Sequence, residues 1–262
     1  MNVPPNTKEK RSEAAAFLGG RLRLRQMPRG HRAGTDAVLL AAATPAQTRG
    51  LILDIGAGTG AVGLAAALRA PAATLGLVEI DSETCALARE NIAENGLAAR
   101  ARVHEADLLS IEARRTSGLE NESAEVLLTN PPYLSPTRTR VSPDPRRALA
   151  HVSAGGLEPW LRASLALLRP GGVFVMIHRA DALQECLACI GGRLGAIGLL
   201  PVAAHAGEAA TRILLRGVKG SKGPLSLLPP LVLHEADGAF TPRAEALHRG
   251  EGELPWPPGA FT

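Results

Sequence analysis

The stretch Asn130-Pro131-Pro132-Tyr133 contains the residue types of this chain that point most directly to chemistry. The side-chain carbonyl of Asn130 and the backbone carbonyl of Pro131 can each accept a hydrogen bond from an amino group. The two prolines restrict the backbone between them, and Tyr133 offers an aromatic face. The stretch therefore predicts a site for a planar, amino-bearing target, such as an amide or the exocyclic amine of a base.

A glycine-rich turn lies about seventy residues earlier, where Gly56, Gly58 and Gly60 separate an apolar run from a helical pattern. Glycine permits a tight turn and the close approach of a ligand to the backbone. The turn predicts a nucleotide-type cofactor site. Gly56, Gly58 and Ala61 also satisfy the dinucleotide-binding pattern, so the turn alone does not identify the cofactor.

Two acidic residues beyond the turn could complete that site. Glu79 ends the second apolar run, where an acid can accept hydrogen bonds from ribose hydroxyls. Asp81 is the near competitor, but its position suits a helix cap better. Asp107 follows the third run and could contact an adenine edge; a surface-loop aspartate is the alternative.

Strand and helix patterns alternate along the segment that contains these residues. Apolar runs predict seven strands, near 51–55, 74–80, 100–105, 124–130, 172–178, 196–204 and 211–218. Helical patterns cover 60–70, 81–96, 157–168 and 180–194. We therefore expect an α/β fold: a Rossmann-like, seven-stranded, mostly parallel sheet with helices on both faces. Ligands of such sheets bind at the carboxyl ends of the strands.

Composition excludes several classes of protein. Hydrophobic residues make up 45% of the 262 residues, enough for a large core. Three cysteines argue against a disulfide framework, and no run approaches the roughly 20 apolar residues of a membrane span. We expect a cytoplasmic protein without a metal site, in which Cys186 and Cys189 share one helix face. We expect Trp160 to serve helix packing rather than base stacking.

The charge is unevenly distributed. Residues 1–35 carry eight lysines and arginines against two glutamates, a net charge of +6, whereas the remaining residues sum to −2. This asymmetry suggests a basic arm for an anionic partner, with a solvated terminus as an equal alternative. The loop after Tyr133 is also basic and includes Arg138 and Arg140, so two basic segments could hold phosphates beside the site.

The motifs at 54–60, 78–81 and 130–133, in this order and spacing, resemble class I S-adenosylmethionine-dependent methyltransferases. More narrowly, they resemble the branch that methylates amino groups on sp² carbon. The resemblance spans about residues 17–218. The segments 26–43 and 233–250 are similar to the tRNA adenine-N6 methyltransferase family. The resemblance implies methyl transfer from S-adenosylmethionine to the exocyclic N6 amine of an adenine in RNA, with tRNA as the expected substrate.

The resemblance also implies roles for individual residues. The cofactor-binding residues would be Asp54, Gly56, Gly58, Gly60, Glu79 and Asp107. The first four would line the methionine end, Glu79 would bind the ribose, and Asp107 would lie by the adenine. Asn130, Pro131, Pro132 and Tyr133 would hold the target base, and Arg32, Gly34 and Thr35 would lie over the mouth of the site.

Composition and residue patterns predict a domain organisation as well. Residues 1–16 would be a basic, disordered arm, and 17–50 a strand and helix extension over the active site. The helix near 37–43 would be capped by Thr35 or Asp36. The methyltransferase domain would span 51–218, followed by a Pro- and Gly-rich tail over 219–262.

A protein N5-glutamine methyltransferase acting on a release factor or ribosomal protein is the alternative, because a side-chain amide is also planar and amino-bearing. Members of that group usually carry a longer N-terminal helical domain, and only about fifty residues precede the glycine turn here. A nicotinamide oxidoreductase would leave the stretch from Asn130 to Tyr133 unexplained. The oligomeric state stays open.

Overall fold

The computed structural model of the protein describes residues 13–27, 33–132 and 156–256. The chain opens with a hairpin and a helix: β1 (Ala15–Phe17), β2 (Leu22–Leu24) and α1 (Thr35–Ala42). The first half of the main sheet and its helices follow: β3 (Leu51–Ile55), α2 (Ala61–Arg69), β4 (Thr74–Glu79), α3 (Ser82–Glu94), β5 (Ala101–Glu105), α4 (Ile111–Thr116) and β6 (Ala124–Thr129).

The second half contains longer strands and the C-terminal elements. They are α5 (Leu157–Leu167), β7 (Leu168–Arg179), a 3-10 turn (Ala180–Ala182), α6 (Leu183–Ile190), β8 (Leu194–Ala203), β9 (Arg212–Lys219), β10 (Ser226–Leu227), β11 (Leu231–Val232) and α7 (Pro242–His248). Within the described ranges, no helix has the length and apolar character that crossing a bilayer requires.

The main sheet confirms the predicted fold class. Its strands follow the order β10–β8–β9–β7–β6–β3–β4–β5, and β11 also pairs with β8. The strands from β7 to β5 are parallel neighbours, whereas β9 is antiparallel to both β7 and β8. All seven predicted strands are present, but the count of seven is wrong. The sheet has nine strands in the described part of the chain, because the tail adds two that are only two residues long.

Helices cover both faces of the sheet, as predicted. Val38 of α1, Leu64 of α2 and Ile92 of α3 are buried in one apolar cluster. Leu161 of α5 and Cys186 of α6 are buried in a second cluster on the other face. Burial raises the pKa of the Cys186 thiol to about 12, so this thiol is a poor nucleophile and serves as core.

The predicted cap of the first helix is wrong. Gly34 occupies the N-cap position of α1 without a side-chain cap bond, and Thr35 and Asp36 lie inside the first turn. The two side chains instead make tertiary contacts. Asp36 pairs with Arg212 of β9 at 3.0 Å, and Thr35 Oγ1 lies 3.3 Å from Nε2 of His248.

The N-terminal hairpin is anchored by two asparagines of α3. Leu22 and Leu24 are buried and Arg23 is exposed, as the alternation predicts. The Asn91 amide accepts from the backbone N–H of Arg25 and donates to its carbonyl; Asn95 makes the same pair of bonds with Arg23. The ordered chain already includes Ala15 and Ala16 in β1. The expectation of a disordered arm is therefore wrong for those two residues.

The tail folds onto the domain instead of trailing from it. Leu231, Leu247 and Leu254 are buried in the same cluster as α1 and α2. The Arg69 guanidinium donates to the carbonyls of Thr44 and Gly252, which fastens the end of the described chain to α2. Apolar packing against the domain thus orders the tail. The short strands and the Pro-rich composition give no sign of this in the sequence.

Replacing Asn91 by alanine should lower the free energy of unfolding by about 1–3 kcal/mol, because buried backbone groups lose their partners. Asn91 is fully buried and also donates to the Thr59 carbonyl in the glycine turn. Asn95→Ala is the matched control: it removes the same bonds at a more exposed position and should cost under about 1 kcal/mol. Equal losses in chemical denaturation would contradict this account.

Candidate active site

The carboxyl ends of β3, β4, β5 and β6 meet at one pocket. The residues that follow these strands supply most of its lining: Gly56, Glu79, Ile80, Asp107, Leu108, Asn130 and Pro132. Parallel neighbours end at the same edge of a sheet, so residues up to 76 positions apart come together here. Five of the predicted site residues line this pocket: Gly56, Glu79, Asp107, Asn130 and Pro132.

The Glu79 carboxylate is fixed by three backbone donors. Its Oε2 accepts from the N–H of Gly58 at 2.9 Å, and its Oε1 accepts from Ile80 and Asp81 at 2.8 and 3.0 Å. A carboxylate has about four acceptor positions, so capacity for another donor remains. The Asp81 side chain accepts from Thr84 N as the cap of α3, which confirms the predicted capping role.

Asp54 lies beneath the turn and is not among the residues that line the pocket. It is 2% exposed, and its Oδ2 accepts from the N–H of Gly63 in the first turn of α2. Gly60 precedes that helix and has no side chain to cap it. Asp54 therefore performs the capping from a neighbouring strand. Burial raises the pKa of this carboxyl to about 7; the Gly63 bond lowers it and the charge of Glu79 raises it.

Trp160 of α5 forms a wall that the sequence analysis missed. The tryptophan lines the pocket, and its ring lies about 3.1 Å from where a Cβ on Gly56 would stand. Gly56 has a φ of +70°, so both the backbone and the space there require glycine. The indole N–H donates to Thr129 Oγ1, which in turn donates to the Ile55 carbonyl. No spacing pattern in the sequence signals this contact.

The target side of the pocket contains an acceptor without a donor. Asn130 Oδ1 is buried, and no described residue donates a hydrogen bond to it. A buried acceptor of this kind costs free energy unless a ligand or water supplies a proton donor. Pro132 lines the same pocket. Pro131 is buried beside it. The arrangement suits a ligand that presents N–H groups at the end of β6.

The other predicted site residues lie elsewhere. Gly58 and Gly60 shape the turn with φ values of +56° and +90° but do not line the pocket. Thr35 contacts His248 of the C-terminal helix. Four predicted residues lie outside the described part of the chain: Arg32, Tyr133, Arg138 and Arg140.

Part of the basic N-terminal charge is paired inside the protein. Arg23 contacts Glu94 at 3.3 Å, and Arg25 contacts Glu94 and Glu90 at 3.5 and 3.8 Å. Arg21 donates to the Gly250 carbonyl. These three arginines are therefore bound to α3 and to the tail. The use of the segment 1–35 in holding an anion stays a prediction.

Asp107 borders an apolar slot. Its Oδ1 accepts from the N–H of Leu109, which fixes the carboxyl at the end of β5. Ile80 and Leu108 provide apolar surface in the same pocket. In the described ranges, no group of three or more His, Cys, Asp or Glu side chains could hold a metal ion.

Comparisons with known proteins show which proteins this chain resembles. Residues 32–182 match the family described as the methyltransferase small domain. A tRNA1(Val) (adenine(37)-N6)-methyltransferase from Aeromonas hydrophila is 33% identical over 221 residues, 81% of this chain and 86% of the relative. The protein of that name from Parabacteroides distasonis is 35% identical over 147 residues, 56% of this chain and 59% of the relative.

A solved structure is also similar. It comes from Agrobacterium tumefaciens, is described as a predicted O-methyltransferase, and is 31% identical to this chain. The alignment covers 84% of this chain and 98% of that chain with a TM-score of 0.71. The similarity therefore extends over the sheet and most of the elements around it.

Asp54→Asn should change how stability depends on pH. Because the folded pKa is raised above the unfolded value of 3.8, the folded protein holds the extra proton between about pH 4 and pH 7. The stabilisation from this group is present below that window and is lost as the pH rises through it. Asparagine can accept the same Gly63 bond but does not titrate. Between about pH 5 and pH 8, the free energy of unfolding of the variant should therefore rise by at least about 1 kcal/mol relative to that of the unmodified protein.

Thermal or denaturant unfolding across that pH range measures the difference. Asp237→Asn, at an exposed aspartate of the tail, is the control and should leave the profile parallel to that of the unmodified protein. If the pH profile of Asp54→Asn were also parallel to that of the unmodified protein, the raised pKa of Asp54 would be contradicted.

Proposed function

As the chain belongs to the methyltransferase small domain family and depends on S-adenosylmethionine, we propose that it methylates the exocyclic N6 amine of an adenine in tRNA. The observation that carries the proposal is the buried Asn130 Oδ1, to which no described residue donates, in the pocket that Glu79 and Asp107 also line. An amine on a planar ring supplies the N–H donors that this position lacks. We also propose that the protein acts in the cytoplasm.

The residues of the pocket fit the adenosine part of the cofactor. Glu79 keeps acceptor capacity for ribose hydroxyls after its three backbone bonds. Ile80 and Leu108 offer flat apolar surface to an adenine, and Asp107 lies beside them. S-adenosylmethionine supplies a methyl group that is already activated on a sulfonium.

The work of the chain is to position the target amine and favour its charged form. The nitrogen lone pair is delocalised into the ring, and positive charge develops on the nitrogen as the new bond forms. Acceptors held at the N–H groups stabilise that charge. Asn130 Oδ1 and the Pro131 carbonyl would be these acceptors, and the prolines limit their movement.

The choice of adenine over other targets rests on two arguments. A hydroxyl presents a single donor, whereas two adjacent acceptors suit an NH₂ group, which favours N- over O-methylation. The relatives from Aeromonas hydrophila and Parabacteroides distasonis, named as tRNA adenine-N6 methyltransferases, support a tRNA target. A glutamine amide would satisfy the same acceptors and is the competing outcome of the experiment.

In the experiment, the purified protein is incubated with labelled S-adenosylmethionine and, in parallel reactions, with bulk tRNA, ribosomal RNA or a soluble protein fraction. We expect label in tRNA, recovered as N6-methyladenosine by nucleoside mass spectrometry. Label in protein alone, recovered as N5-methylglutamine, would overturn the RNA assignment. Label as a methyl ether would overturn the N-methyl assignment.

Asn130→Ala should lower kcat for tRNA methylation by about 10²–10³-fold, because one transition-state acceptor is lost. Cofactor affinity should stay within about twofold of the original, since Asn130 serves the target side. Steady-state kinetics and calorimetric titration separate the two effects. A loss confined to cofactor affinity would contradict the role given to Asn130.

Glu79→Gln should weaken cofactor binding by about 10-fold or more, because a charged acceptor is replaced by an amide that also carries donors. Glu112→Gln, at an exposed position of α4, is the matched control and should leave the affinity unchanged. Calorimetric titration with S-adenosylhomocysteine measures both variants. Unchanged affinity for Glu79→Gln would remove this residue from the cofactor site.

A further inference from the structure

Four neighbouring rings of the C-terminal part of the chain form a row, in which His234, Phe240 and His248 are stacked and His205 is tilted by 42° against His234. His205 and His234 have ring centroids 5.8 Å apart, His234 and Phe240 4.9 Å, and Phe240 and His248 4.4 Å. We call these four side chains the ring row. All four residues are partly exposed. The row gathers rings in a chain whose Phe, Trp and Tyr content is only 3%.

Backbone contacts hold the rings in place. Nδ1 of His205 lies 3.2 Å from the Glu235 carbonyl, and Nδ1 of His234 lies 3.1 Å from the Gly238 carbonyl. Since a carbonyl only accepts, both Nδ1 atoms carry the proton. At the other end of the row, Nε2 of His248 meets Thr35 of α1. The row is thus preorganised, and ordering it on binding costs little entropy.

The ring row lies at the same edge of the sheet as the candidate active site. β8 and β7 run in the same direction because both are antiparallel to β9, so His205 follows β8 at the carboxyl edge. β11 pairs in parallel with the end of β8 and leads to His234. From β8 to β6 there are three strand steps, about 14 Å at ~4.8 Å per step. A strand of RNA with its target base at Asn130 can span that distance with its neighbouring nucleotides.

We propose that the ring row is a second contact for the RNA substrate, on which bases flanking the target adenine stack. The inference rests on the proposed function and extends it by assigning the C-terminal segment to substrate binding. Unpaired bases stack on aromatic and imidazole rings with little sequence preference. Glu245 of α7 pairs with Arg249 at 3.8 Å, so the assignment to bases rests on the rings and not on charge.

The test measures affinity of the full-length protein for tRNA. His234→Asn removes a ring and keeps a side-chain N–H for the Gly238 carbonyl. Phe240→Leu removes a ring and keeps apolar volume. We expect each variant to raise the Kd for tRNA by about fivefold or more, the loss of one stacked base. His205→Asn, at the open end of the row, provides a third variant should Phe240→Leu fail to fold.

The matched control is His104→Asn. His104 lies on β5, at the opposite end of the sheet, and its Nδ1 contacts the Ser117 carbonyl at 2.8 Å. This variant should leave the Kd for tRNA within about twofold. The affinity for S-adenosylhomocysteine should be unchanged in His234→Asn, because no residue of the ring row lines the cofactor pocket.

Salt dependence separates stacking from charge. A stacking contact releases no counterions, so the ratio of variant to original Kd should be the same at low and high salt. A ratio that collapses at high salt would overturn stacking. Ring-row variants with the original affinity, in a protein that does bind and methylate tRNA, would overturn this inference alone. Failure of the unmodified protein to bind any RNA would overturn the proposed function and this inference together.

Discussion

Three backbone N–H groups from two separate segments converge on the Glu79 carboxylate. One of them belongs to Gly58 in the turn after β3, and the other two belong to the chain leaving β4. Because a carboxylate holds such donors strongly, the glycine turn is held against the neighbouring strand end. The shape of the pocket depends on these three hydrogen bonds to Glu79. The three glycines of the turn have positive φ angles, and the N–H groups of Gly56 and Ala57 also donate to the Val78 carbonyl of β4.

A second set of contacts does the same for the target side. The Trp160 indole binds Thr129, the residue directly before Asn130, and its ring packs over Gly56. The wall from α5 thus touches both the turn after β3 and the end of β6. Asp54 completes the arrangement from below by holding the start of α2. Cofactor side and target side are therefore fixed by side chains that need not contact the reacting atoms.

The sequence could predict what local patterns encode. Apolar runs located seven strands. The places of the two acids relative to the strand end and the helix start predicted Asp81 as the cap of α3 and Glu79 as the residue of the pocket. It could not predict contacts made across the fold. Trp160 reaches Thr129 over 31 residues, Arg25 reaches α3 over more than sixty, and the tail strands are too short to show a period. The bond from the Gly63 N–H to Asp54 could not be predicted, because burial under the turn is a tertiary property.

A crystal structure with S-adenosylhomocysteine tests the central claim most directly. The account predicts ribose hydroxyls donating to Glu79 at about 2.7 Å, adenine against Ile80 and Leu108 near Asp107, and Asn130 Oδ1 left open beside the sulfur. A nucleoside held by Asp81 instead, or a ligand outside the pocket at the ends of β3 to β6, would contradict it.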